Sequence, residues 1–140
     1  MTVRVLTSTD WPAAEPLYWE LTKSGVVAGG ARFAEVVAHP GTKVVGKFAD
    51  GKLVAMATLH ILPNMTYAGR PYGLVENVVT ARDSQRHGHG RSVMDYLVAL
   101  ARDEDCYKIM LLTGRARAAR GFYEAVGFSA DEKWGMTIRF

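Results

Sequence analysis

One stretch limits what this chain can fold into more than any other. A β-branched run, YGLVENVVT (Tyr72–Thr80), leads through the loop Gln85-Arg86-His87-Gly88-His89-Gly90-Arg91 into a segment patterned as a helix. In that segment Val93, Met94, Leu97, Val98 and Ala101 recur at helical spacing, which predicts a helix over residues 88–103. Its acidic end, Asp103 and Asp105, opposes the helix dipole. The order strand, glycine loop, helix places the loop at a helix mouth, where the first backbone N–H groups lack intrahelical acceptors and the dipole is positive. Gly88 and Gly90 keep side-chain bulk out of that mouth, and Arg86 and Arg91 add charge, so the loop suits an anion, typically phosphate. A plain helix-start loop is the competing reading. A dinucleotide fingerprint would want a third glycine where Val93 stands, and the Gly-Lys-Ser/Thr of a Walker A loop is absent.

Around this centre the remaining elements follow from periodicity. Thr9, Asp10 and Pro12 mark a helix start, predicting a helix over 11–23 that carries Leu17 and Leu21 on one face. Gly25, Gly29 and Gly30 separate it from a second helix over 31–38. Neither helix carries recognisable chemistry. Val44, Val45 and Phe48 lead into Asp50-Gly51, a two-residue hairpin signal, and a long strand follows. Strict alternation in that strand puts Leu53, Ala55, Ala57, Leu59 and Ile61 on one face and Val54, Met56, Thr58 and His60 on the other. Residues 62–71, with two prolines, a glycine and an asparagine, read as a loop. YKIMLLT (107–113) reads as a strand buried on both faces, and Ala119, Phe122, Tyr123 and Val126 as a helix stopped by Gly127. Trp134, Met136, Ile138 and Phe140 alternate with Lys133, Gly135, Thr137 and Arg139, predicting a closing strand with one buried face.

At 140 residues, 49% hydrophobic and 22% charged, the sequence fits one globular domain spanning 1–140. No apolar run reaches the roughly 18 residues of a membrane span and no signal-peptide pattern opens the chain, so the expectation is a cytoplasmic protein without membrane association. The net charge of +3 is mild and its basic residues are scattered, which speaks against nucleic acid as a partner. The single cysteine, Cys106, reads as a small buried residue, and His87 and His89 as loop histidines and not metal ligands.

Gln85-x-x-Gly88-x-Gly90 after a strand resembles the Gln/Arg-x-x-Gly-x-Gly/Ala signature of the GNAT acetyltransferases. Downstream, with one strand between, Gly121-Phe122-Tyr123-Glu124-Ala125-Val126-Gly127-Phe128 resembles the same family's Phe-Tyr-Glu-x-x-Gly-Phe helix. The resemblance covers residues 42–140 and is closest from Val75 onward. ENVV (76–79), CYKI (106–109) and the closing segment are similar to the glucosamine-6-phosphate N-acetyltransferase branch and its bacterial relatives. One departure stands out: the asparagine often found six residues before the Phe-Tyr pair is Ala116, flanked by Arg115 and Arg117.

The resemblance implies an α/β (α+β) fold, a mixed and mostly antiparallel sheet flanked by helices. It implies transfer of the acetyl group of acetyl-CoA to a primary amine on a small acceptor, an amino sugar among the candidates, by direct attack through a tetrahedral intermediate. The cofactor set is then Gln85, Arg86, His87, Gly88, His89, Gly90, Arg91 and Ser92 at the pyrophosphate, with Val78 and Val79 offering backbone groups to the pantetheine. Phe122 completes that set. Arg115, Arg117 and Arg120, just before or within the Phe-Tyr helix, are candidates for the 3′-phosphate, with a solvated helix face as their other reading. Tyr123 matches the family's proton donor to the leaving thiolate, and its phenol, with an ordinary pKa of about 10, stays protonated at neutral pH. Glu76, a carboxylate inside an apolar strand, is the candidate base through desolvation; orienting the acceptor or pairing with a basic neighbour are its other readings. Tyr18, Trp19, Arg32, Tyr67 and Arg70 are candidate acceptor contacts. The family habit also implies a homodimer. A catalytically inactive acyl-CoA sensor is the alternative function.

Overall fold

Strands such as LVAMATL (53–59) carry apolar side chains on both faces, and a sheet built from them needs cover on both. The computed structural model, which describes residues 1–23, 25–115 and 119–140, has that two-sided arrangement. In chain order the elements are β1 (Thr2–Val5), α1 (Trp11–Leu21), α2 (Gly30–Ala38), β2 (Thr42–Ala49), β3 (Lys52–Leu62), β4 (Tyr72–Thr80), α3 (His89–Asp103), β5 (Ile109–Leu111) and α4 (Arg120–Val126). Among the described residues the sheet runs β1-β2-β3-β4-β5, antiparallel throughout except for the parallel pair β4/β5. The mixed, mostly antiparallel α/β arrangement expected from the sequence is therefore present.

One face of the sheet, through Val45, Ala57, Leu59 and Val75, packs against Val93, Met94, Leu97 and Ala101 of α3, with Phe122 and Tyr123 of α4 at its margin. On the other face Val44, Leu53, Met56 and Val79 pack against Ala14 and Leu17 of α1 and Phe33 of α2. Each large aliphatic side chain buried in these layers contributes about 1.5–3 kcal/mol relative to exposure, so the sheet is the rigid frame on which the site is mounted. Helix α1 runs through Pro16 without interruption. Among the described residues no helix is long and apolar enough to cross a membrane.

Four expectations need correction. Residues 2–5 form an edge strand that the sequence pattern did not mark; Arg4 on it is fixed by two 2.8 Å hydrogen bonds to the carboxylate of Asp10. Strict alternation misplaced Leu53: a register shift pairs Lys47 with Ala55 but Phe48 with Leu53, so Val54 is the extra residue of a bulge and Leu53 joins Met56 in the α1/α2 layer. The strand at 107–113 shortens to Ile109–Leu111 and is half-buried, because it sits at the sheet edge and follows β4 for only three residue pairs. The closing strand does not form. Trp134, Met136, Ile138 and Phe140 alternate as expected yet are 82% exposed or more, since an alternating sequence becomes a strand only where an edge accepts it.

Candidate active site

The site begins with an irregularity in β4. Thr58 of β3 pairs with Glu76 and Met56 pairs with Val79, so Asn77 and Val78 stand opposite the single residue Ala57. Asn77 takes a left-handed φ of 52°, which turns the strand outward at that point. On the other side, pairing with β5 ends at Val75↔Leu111. From Glu76 onward β4 and β5 part, and a cavity of about 800 Å³ opens between them, lined by Glu76 to Val78, by Leu111 to Gly114 and by Tyr123 of α4. In the sequence this point is marked only by the polar pair Glu76 and Asn77 within an otherwise apolar run, which reveals neither the opening nor the bulge.

Glu76 is exposed at the cavity wall, and among the described residues no hydrogen bond or ion pair engages its carboxylate. The desolvation expected of a carboxylate inside an apolar strand is thus not supplied by the fold. Tyr123 is half-buried at the same cavity, edge-on to Phe122 at 5.1 Å and to Phe128 at 6.1 Å, so its ring is held by aromatic contacts on both sides. Gly127 closes α4 with a φ of 112°, and the Phe128 amide donates to the Tyr123 carbonyl, folding Phe128 back against the tyrosine. Val78 lines the cavity, whereas the Val79 side chain is in the core, leaving only its backbone to meet a ligand.

At the far end of β4 the loop 81–88 is anchored from several directions. The Ala81 amide donates to the Val54 carbonyl, the Arg82 amide to Glu20 Oε2 of α1, and Gln85 Nε2 to the Thr80 carbonyl at 3.3 Å. Arg86 and Gly88 both adopt left-handed backbone, with φ of 63° and 76°, which curls the chain into the first turn of α3. Their two glycine neighbours act differently from one another. Gly88 has open space where a Cβ would stand, so it is needed for its conformation; Gly90 would place a Cβ 2.9 Å from Thr80 Oγ1 and 3.4 Å from Phe122 Cζ, so it is needed for packing. Phe122 therefore presses α4 against the mouth of α3. Ser92 Oγ is occupied by the Gly88 carbonyl at 3.0 Å and by Lys47 Nζ at 2.8 Å. His87 and His89 stack at 6.0 Å, and Arg91 makes a 3.7 Å pair with Asp95. The uncluttered mouth, curled amides and surrounding cations fit a diphosphate.

The remaining assignments divide. Arg115 is exposed beyond Gly114, whereas Arg120 is engaged by Glu124 and Asp131 and is held from a phosphate by them. Arg117, and Ala116 beside it, lie outside the described residues. Of the five candidate acceptor contacts only Tyr18 lines the cavity, where burial raises its phenol pKa against a weaker opposing hydrogen bond to Thr58. Trp19 faces a separate hollow with Arg82, and Arg32 pairs with Glu35. Tyr67 stacks on Tyr107 at 4.2 Å and Arg70 donates to the Asp105 and Cys106 carbonyls, beside the opposite end of β5. Sequence reasoning missed the α1–α2 connection, which it read only as a separator between two helices: Lys23, Val26 and Val27 form one wall of the cavity, and Arg139 of the C-terminal segment another.

A family model described as the Acetyltransferase (GNAT) family matches residues 6–128. A glucosamine 6-phosphate N-acetyltransferase of Trypanosoma brucei brucei is 31% identical over 135 residues, covering 94% of this chain and 90% of that protein. Among solved structures, a putative acetyltransferase from Agrobacterium tumefaciens str. C58 is 40% identical with a TM-score of 0.94, covering all of both chains. An acetyltransferase of Trypanosoma brucei is 30% identical with a TM-score of 0.81 and covers 99% of each. The parted strands, the glycine loop at the mouth of α3 and the aromatic helix α4 thus occur together in a chain that belongs to the GNAT family of acetyl-CoA-dependent acetyltransferases.

Proposed function

We propose that this chain transfers the acetyl group of acetyl-CoA to the amine of a small phosphorylated amino sugar. The observation that carries the reading is that Glu76 and Tyr123 face one cavity at the point where β4 leaves β5, with the loop of α3 beyond it. The backbone of 86–91 holds the pyrophosphate, and Val78 and Val79 present main-chain groups to the pantetheine arm. Glu76, directly or through water, takes the proton that the acceptor ammonium must lose. The amine nitrogen then attacks the thioester carbonyl and forms the C–N bond of a tetrahedral intermediate; as this collapses the C–S bond breaks, Tyr123 protonates the leaving thiolate, and the second proton lost from the nitrogen restores the tyrosine phenol. The amide and free coenzyme A are the products.

Two facts favour a phosphorylated sugar. The relative at 31% identity over nearly the whole chain is named for that substrate. Among the described residues the cavity places the cations Lys23 and Arg139 beside the carboxylate Glu76, a balance that suits an acceptor carrying an anionic group as well as an amine. We propose further that the protein works as a homodimer, since the alternating apolar row of the C-terminal segment is left uncovered by its own chain.

The test is a thiol-release assay with acetyl-CoA against glucosamine 6-phosphate, glucosamine, simple alkylamines, an aminoglycoside and an N-terminal peptide. Glucosamine 6-phosphate is expected to give the highest kcat/KM, with glucosamine at least tenfold lower. Equal turnover of the two sugars would remove the phosphate argument, and turnover of the peptide alone would replace the small acceptor by a protein.

A further inference from the structure

Lys47 occupies a position where a lysine is poorly suited to stabilise the protein. It lies on β2, in register with Val3 and Ala55, on the sheet face that α3 covers. Its ammonium donates to Ser92 Oγ at 2.8 Å, and Ser92 Oγ donates in turn to the Gly88 carbonyl, so the charge is brought under the first turn of α3. That end of a helix is its positive pole, where a cation is unfavourable and an anion is stabilised. Among the described residues no carboxylate pairs with Lys47.

Arg86 adds to the excess at the same helix mouth, where Arg91 is already paired with Asp95. The Nδ1 atom of His89 is buried without a partner, and burial, then the charges of Lys47 and His87, lower its pKa and favour the neutral ring. A free protein gains nothing by holding an ammonium against a neutral hydroxyl here. The arrangement makes sense when a polyanion joins it.

We propose that Lys47 is a positioning residue of the coenzyme site, holding the Gly88 loop at positive potential from behind the first turn of α3 and so raising affinity for the phosphates of the coenzyme. The inference rests on the acetyltransferase reading and adds to it a residue on β2, outside both signature segments. Lys47 acts through the helix end and Ser92 and takes no part in the chemistry of acetyl transfer.

Calorimetry on Lys47→Met with coenzyme A and with acetylpantetheine, which lacks the pyrophosphate and 3′-phosphate, separates the outcomes. The variant is expected to bind coenzyme A roughly three- to tenfold more weakly at low ionic strength, with the gap closing at high salt, and to bind acetylpantetheine as the wild type does. Its ligand-free melting temperature is expected to rise, because an unfavourable charge has been removed. Lys47→Arg, which keeps the charge, is expected to stay within about twofold of the wild type. Unchanged affinity for coenzyme A, an equal loss for acetylpantetheine, or a Met variant less stable than the wild type would each overturn the inference. A wild type that binds no coenzyme A at all would instead strike the acetyltransferase reading itself.

Discussion

Phe122 of α4 lies so close to Gly90 of α3 that a methyl group on the glycine would stand 3.4 Å from its ring, with Thr80 Oγ1 nearer still at 2.9 Å. The two signature segments, far apart in sequence, are thereby one mechanical unit. Gly90→Ala should cost about 1–3 kcal/mol in urea unfolding through overpacking, and should weaken coenzyme A binding by shifting the loop. Gly88→Ala has room for its methyl but must hold a φ of 76°, so it should cost about 1–2 kcal/mol through backbone strain alone. If the Gly90 variant unfolds at the wild-type midpoint, the helices are not in the contact described.

Tyr123→Phe keeps the aromatic contacts with Phe122 and Phe128 and removes the phenolic proton. Turnover should fall by roughly 100-fold or more, the usual size of general-acid catalysis, while affinity for coenzyme A stays within about twofold. Steady-state kinetics beside calorimetry reads both, and an undiminished kcat would take the proton donor role from this residue.

Glu76→Gln distinguishes a base from a residue that only orients the acceptor. A lost base matters most where the amine is protonated, so the deficit should be roughly 100-fold near neutrality and should shrink as pH rises past the amine pKa. A deficit of constant size across the pH range would assign Glu76 to orientation alone.

Asp10 gives the fold an acid limit. Hydrogen bonds from Arg4, first of all, hold its carboxyl pKa down to about 2. A depressed carboxylate contributes stability above its unfolded pKa of about 4 and loses it as pH falls towards the folded value. With Arg4 42% exposed and therefore screened, the contribution is about 1–2 kcal/mol. Asp10→Asn should lose that amount at pH 7 and show a flatter decline in stability between pH 4 and 2; parallel curves for the two proteins would mean the pair contributes nothing.

Deleting residues 133–140 should leave a folded chain, since none of the core side chains comes from that segment. It should also shift the protein from dimer to monomer in analytical ultracentrifugation. A truncated protein that still sediments as a dimer would place the interface elsewhere.

What the sequence made legible was whatever a single segment decides. The apolar period of α3, the turn chemistry of Asp50-Gly51 and the aromatic helix ending at Gly127 all fold as their own residues dictate. The glycine loop and the Phe-Tyr helix were readable as local elements for the same reason. The rest depends on partners distant in sequence. Leu53 changed faces because of a bulge shared with β2, and β5 is short because β4 leaves it. The alternating residues near the C-terminus pair with none of the described strands, and the cavity wall at Lys23, Val26 and Val27 exists only because α1 ends beside β4. Asn77 gave no warning of its left-handed turn, since nothing local to it requires one.

The gap between β4 and β5 begins where main-chain pairing stops, at Val75 and Leu111, beside the bulge at Asn77 and Val78. An opening defined in this way depends on where backbone pairing ends more than on what the flanking residues carry. The walls contributed by the α1–α2 connection and the C-terminal arm belong to other segments, so exchanging those two peripheral pieces should reshape the cavity while the strand opening and the glycine loop persist.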